Sequence, residues 1–152
     1  MEPVQEASFF SRLLAWLIDN AILWVIGVLL IFLFAGSTNL AESSSSSILT
    51  LLGVAASLAL IALNFLLQFL YFGYFWSNGG QSLGMKMMNV HVEREDGTAV
   101  SFVRGGLRGT IGYYISSLIF FMGYWWALLD SNNETWHDKL FDTRVYNNRW
   151  TG

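Results

Sequence analysis

The sequence predicts an all-α membrane protein of about three transmembrane helices with short β-strands. Two observations carry that expectation. The 152 residues are 54% hydrophobic and only 12% charged, about half the charge of an ordinary soluble domain. The apolar residues are also gathered into three long runs, with Trp and Tyr near their ends, where interfacial anchors sit. There is no Cys, so neither a disulfide framework nor a thiolate metal site can form. A net charge of −3 with no basic stripe excludes a nucleic-acid binder.

The whole chain, 1–152, reads as a single membrane domain. The first run, 13–34, would span about 33 Å as a helix, close to the hydrocarbon thickness. The preceding segment carries two Glu and no Lys, and no small-residue cleavage site follows the run. It therefore reads as a retained span rather than a secretory signal. Residues 35–47 form a Ser-rich linker without Lys or Arg. The second run, 48–76, is long enough to tilt. Segment 77–110 carries Lys86, Arg94, Arg104 and Arg108. The positive-inside rule makes it cytoplasmic, places the Ser-rich loop outside and puts the N-terminus inside.

The third run, 111–129, is just long enough for one crossing. That crossing would place the tail, 130–152, outside, although Lys139, Arg144 and Arg149 favour the inside. A full crossing is the leading expectation. A re-entrant hairpin is the alternative, with Gly112 or the Ser116–Ser117 pair as break points.

The polar segments suggest short elements. Ser82 can cap a helix over Leu83–Met87. Val90 to Arg94 alternates as a strand, Asp96–Gly97 signals a turn, and 101–108 is an amphipathic lead-in to the third run. Residues 142–146 look like a second strand, able to pair with 89–94 only if both lie on one membrane face.

Five polar residues stand out as a candidate ion or structural site: Arg12, Asp19, Asn64, Gln68 and Asp138. Asp19 sits inside the first run, where a carboxylate costs about 2.5–3.5 kcal/mol on insertion scales. Arg12 is seven residues earlier, about 10.5 Å along a helix axis, too far for a direct ion pair. Arg12 can snorkel to headgroups; Asp19 needs a partner. Asn64 and Gln68 share a face of the second run, and a depth argument sets Gln68 opposite Asp19, with Asn64 deeper. Such residues act as interhelical glue, worth about 0.6–2 kcal/mol per hydrogen bond, or mark an ion path. Gly53, Ala55, Ser57 and Ala59 add small-residue spacing suited to helix packing.

Other motifs lead nowhere. G-G-Q-S-L-G-M-K has the wrong spacing for a phosphate loop and Met87 where Ser or Thr is needed. His137–Asp138 has only His91 as a second imidazole and no ligand cluster. Nothing indicates an enzyme or a cofactor.

Three stretches, in order, resemble the RDD family of small membrane proteins. They are S-R-L-L-A-W-L-I-D, containing Arg12 and Asp19; G-Q-S-L-G-M-K-M-M-N-V-H-V; and W-A-L-L-D-S-N-N-E-T-W-H-D-K-L-F-D-T-R-V, where Asp138 matches the second family Asp. Two departures reduce local positive charge: Met85 and Met87 flank Lys86, and Ser131, Asn132 and Asn133 stand where Arg is common. The resemblance implies a three-span protein of the bacterial cytoplasmic (inner) membrane, embedded in the lipid bilayer. It suggests homo-oligomeric cation or proton transport, with a non-catalytic accessory or assembly subunit of a larger membrane complex as the alternative. Partners would be copies of itself or other membrane subunits. A sensible arrangement pairs Arg12 with Asp138 at the cytoplasmic surface, closing the tail against the first helix.

Overall fold

The computed structural model describes residues 5–38 and 47–147. Most of the Ser-rich loop and the end of the tail, including Arg149, lie outside them. Two long helices dominate, α1 (Phe9–Thr38) and α2 (Ser47–Ser77). Both are apolar enough to cross a bilayer, over Phe9–Phe32 and Thr50–Ser77. Ser8 caps α1 by accepting the Ser11 N–H at 3.2 Å. The two helices are apolar on most of their circumference, so neither buries a single stripe. Trp24, Phe32, Leu51, Leu58 and Leu66 all point outward, as lipid-facing side chains do.

The rest of the described chain gathers at one end of these helices. The short α3 (Leu83–Met87) begins at Ser82, whose hydroxyl accepts from the Met85 N–H, as the sequence led us to expect. Strand β1 (Val90–Arg94) pairs antiparallel with β2 (Thr143–Asn147), Val92 opposite Val145. Alternation puts Val90, Val92, Thr143 and Val145 on the buried face. The N-terminal segment joins the same sheet: the Ala7 N–H donates to the Val145 carbonyl at 2.9 Å, and Asn147 N–H to Gln5. Ala7, Ala15, Phe72, Trp76, Met85 and these valines form the core. The two strands therefore share one end of the molecule, the condition set by the sequence for their pairing.

That sheet constrains the third apolar run. After α4 (Phe102–Leu107), capped by Ser101, the chain passes through a π-helical turn, Arg108–Gly112, into α5 (Tyr113–Ser117). This stretch climbs alongside α2: Phe102 packs on Phe69, and Tyr114 stacks on Phe65. The chain then reverses. The next pieces, α6 (Met122–Trp125) and a 3₁₀ turn (Trp126–Leu128), meet the first limb at 102°. Gly123 packs against Ser116, and Trp125 returns to stack on Phe9 at the base of α1.

The run is thus a bent pair of helical limbs rather than one straight helix, a shape that fits a broken span as well as the re-entrant hairpin. Its break lies at neither expected point. Gly112 is inside the π-helical turn and Ser116–Ser117 are inside α5; the reversal uses Phe120 and Phe121, both with positive φ. Bulky residues rarely adopt that conformation. Phe120 is 93% exposed at the tip, where it has an apolar surface to enter and no packing to lose. The last helix, α7 (Trp136–Leu140), leads into β2 and is held by a capping box between Thr135 and Asp138.

Glycines let the bent run approach α2. A Cβ on Gly109 would lie 2.3 Å from the Phe72 ring, and one on Gly106 2.6 Å from Phe69. Gly53, by contrast, has nothing within 4 Å, so the small-residue face of α2 is not used for packing here. Gly109→Ala should therefore destabilise the protein in detergent by about 1–3 kcal/mol through overpacking. Gly53→Ala should be neutral or stabilise by up to about 1 kcal/mol. Thermal unfolding of the two variants checks the contrast, and equal midpoints would contradict the packing described.

Candidate functional site: two buried carboxylates at the base of the helices

Asp19 and Asp138 are both essentially unexposed, at 1% and 0%. Each draws together three parts of the chain. Asp19 projects from α1, two helical turns above Arg12. Its Oδ1 accepts from the Tyr71 hydroxyl of α2 at 2.7 Å and from the Gly84 N–H at 2.8 Å. Its Oδ2 accepts from the Ser82 hydroxyl at 2.5 Å. The carboxylate thus sits at the start of α3 and satisfies an N–H that the short helix cannot satisfy itself. The Tyr71 oxygen in turn accepts from the Leu83 N–H at 3.3 Å.

The expected partner of Asp19, Gln68, is not there. The depth argument treated the site as two helices facing each other, whereas α3 tucks between them and brings its own donors. The close approach depends on Gly84, where a Cβ would lie 2.1 Å from the Ala15 carbonyl oxygen. Gln68 instead lines a polar recess with Asn20, Tyr113, Tyr114, Ser117 and Tyr124. Asn64 lies further along α2 beside Gly27, in a cleft between α1 and α2 shared with Ser57.

Arg12 does reach Asp138, as the resemblance suggested. Its guanidinium also donates to the Asn133 carbonyl. A second cation joins from the π-helical turn. Arg108 pairs with the other carboxylate oxygen of Asp138, donates through Nε to Thr143 Oγ1 at 2.9 Å, and lies 4.4 Å from the Trp76 ring centroid. The wide π turn is the kind of irregularity found at functional positions; here it carries a fully buried arginine. The Thr135 N–H and hydroxyl complete the acceptors of Asp138, at 3.0 and 2.6 Å. Burial would push the Asp138 carboxyl up, but Arg12 and Arg108 outweigh it and hold the group well below the usual carboxylate range.

His137 extends this network. Burial pushes its imidazole well below the ordinary range, so it is neutral. The Thr135 hydroxyl donates to Asp138, leaving its oxygen to accept from His137 Nε2 at 2.9 Å. Nδ1 then accepts from the Ser116 hydroxyl, also at 2.9 Å. A chain of hydrogen bonds therefore runs from α5 through His137 and Thr135 to Asp138. The ring packs edge-on to Tyr113. Among the described residues, no group of three or more His, Cys, Asp or Glu is arranged to hold a metal ion.

The RDD family model matches residues 6–142. The chain belongs to the RDD family. No curated protein and no solved structure matches it. The matched span runs from the strand-like residues before α1 to the residue before β2, so it contains Arg12, Asp19, Asp138 and the residues that bond to the two carboxylates. In this RDD protein Arg12 and Asp138 form one contact and Asp19 forms another.

Sequence reasoning passed over Arg108, Tyr71, Thr135 and the donor role of Gly84. Arg108 left one sign, its place among the glycines of R-G-G-L-R-G-T-I-G, where Arg104 is the other cation. Tyr71 left none, since an interfacial Tyr is the commoner reading.

The two carboxylates should differ in cost when neutralised. Asp138→Asn leaves two arginines facing no charge and should destabilise by about 3–5 kcal/mol. Asp19→Asn loses hydrogen bonds only and should cost about 1–3 kcal/mol. Denaturation midpoints at pH 7 give the order, and the reverse order would contradict the assignment. His137 adds a pH signature. Its folded-state proton affinity lies below the unfolded one, so its contribution is full above about pH 6.5 and is lost as pH falls below it. Stability should drop there by about 1.4 kcal/mol per pH unit, and His137→Gln should remove that slope.

Proposed function

We propose that this RDD protein is a non-catalytic membrane subunit whose clasped head sets two apolar helices in position to associate with other membrane helices. The observation that carries this reading is the cleft between α1 and α2. It has a volume of about 390 Å³ and is lined by Gly27, Leu30, Ile31, Ser57, Leu60 and Asn64. Asn64 is exposed within an otherwise apolar span. An amide exposed at that depth is stabilised by a hydrogen bond from a neighbouring helix, worth about 0.6–2 kcal/mol. Copies of the same chain or a larger complex can supply that helix.

The reading extends to orientation. The seven Lys and Arg among the described residues lie at the head end of the spans, at 12, 86–108 and 139–144, and the sequence 35–47 holds none. That asymmetry supports a bacterial inner-membrane protein with its head and N-terminus in the cytoplasm.

A native gel and mass spectrum in mild detergent test the association. We expect the wild type to migrate as an assembly, with itself or with larger subunits, and Asn64→Leu to shift toward a single chain. A wild type that runs as a single chain in lipid nanodiscs would refute the reading.

A buried carboxylate within the first span, Asp19, favours a second reading, proton or cation transport by an oligomer. It requires flux in liposomes that Asp19→Asn abolishes while the fold is retained. Flux unchanged by that substitution would exclude Asp19 as its carrier.

A further inference from the structure

A second cavity lies against the Arg12–Asp138–Arg108 cluster. It has a volume of about 40 Å³ and its walls include Arg12, Trp16, Arg108, Tyr113, Tyr124 and His137. That is room for about three waters, or for one tetrahedral oxyanion.

Its chemistry is that of an anion site. Two guanidiniums meet there with one carboxylate, Asp138. Asp19 is not part of the wall, and its oxygens are engaged by Tyr71, Ser82 and Gly84. His137 is neutral. One positive charge is therefore left uncompensated next to a side chain only 1% exposed, a costly arrangement. Two buried donors on the same wall residues, Arg108 Nη1 and Trp16 Nε1, meet no acceptor at full hydrogen-bond geometry, the Tyr113 and Tyr124 hydroxyls being the protein groups beside them. Buried donors in native proteins nearly always find one.

The surroundings indicate which anion. The cavity shares Phe9, Leu13, Trp16 and Tyr124 with an adjoining groove of about 220 Å³, completed by Phe121 and Trp125 from the returning limb of the bent run. The groove is apolar and runs along α1 within its membrane segment. A free inorganic anion would have no use for it. We propose that the cavity binds the terminal phosphate of an anionic lipid, with the lipid chain lying in the Phe9–Leu13–Phe121–Trp125 groove. The small volume favours a phosphomonoester over a phosphodiester, whose second substituent would need further room. Arginine suits this ligand because its fork keeps donors free after pairing with Asp138.

The test is native mass spectrometry of the delipidated full chain titrated with phosphatidate, phosphatidylglycerol, phosphatidylcholine or inorganic phosphate. We expect one phosphatidate per chain, bound at least about tenfold more tightly than phosphatidylcholine. Leu13→Trp, which fills the groove, and Trp16→Phe, which deletes one donor, should each weaken that binding. If Leu13→Trp does not fold, Trp16→Phe decides with thermal unfolding as the control. Equal retention of phosphatidate and phosphatidylcholine would overturn the proposal. So would inorganic phosphate binding as tightly as phosphatidate.

Discussion

One carboxylate, Asp138, holds the head of this protein to its helices. Its oxygens receive Arg12 from α1, Arg108 from the π-helical turn and Thr135 from the start of α7. These residues are up to 126 positions apart in the chain, so the contact closes nearly the whole sequence on itself. A buried ion pair is weak evidence for stability, because desolvation offsets much of the attraction. It is much stronger as a constraint, since each partner is costly to leave unpaired. With Arg108 fixed, the bent run cannot slide along α2; with Thr135 fixed, β2 starts where it can meet β1.

Asp19 does a related task at smaller charge cost. It uses neutral donors only, and two of them come from the segment that opens α3. The helix is too short to be stable alone. Its position comes from the Asp19 contacts and from Gly84, whose missing side chain lets the backbone reach Ala15. Arg12, Asp19 and Asp138 thus act as a clasp in two halves: one seats α3 under the spans, and the other seats the tail and the bent third run beside it.

The sequence made part of this legible. The spans α1 and α2 followed from hydropathy, and the Ser82 cap and both strands followed from local pattern. The Arg12–Asp138 contact came from the family resemblance rather than from spacing. Gln68 was set opposite Asp19 because depth along a helix can be counted from sequence, whereas the insertion of five residues between two helices cannot. The bend had a different obstacle. Its reversal at Phe120 and Phe121 uses residues whose propensities resist positive φ, so no turn signal marks it. The Lys and Arg of the tail and the strand pattern of 142–146, which needs 89–94 on the same face, were the hints that the tail lies with the head.

The return of the bent run connects the clasp to the membrane. Because α6 comes back to Phe9, Trp125 closes one wall of a groove that a straight third span would have left open. The same reversal sets Ser116 against His137 and Tyr124 beside Tyr113, lining the cavity with hydroxyls and rings next to Arg108. A straight helix would have carried Tyr124 and Trp125 away from their contacts with Trp16 and Phe9 on α1. The bend is therefore what packs protein groups around the two guanidiniums. It lines the cavity beside them with Tyr113, Tyr124 and His137 and adjoins it to the apolar groove of Phe9, Leu13, Phe121 and Trp125.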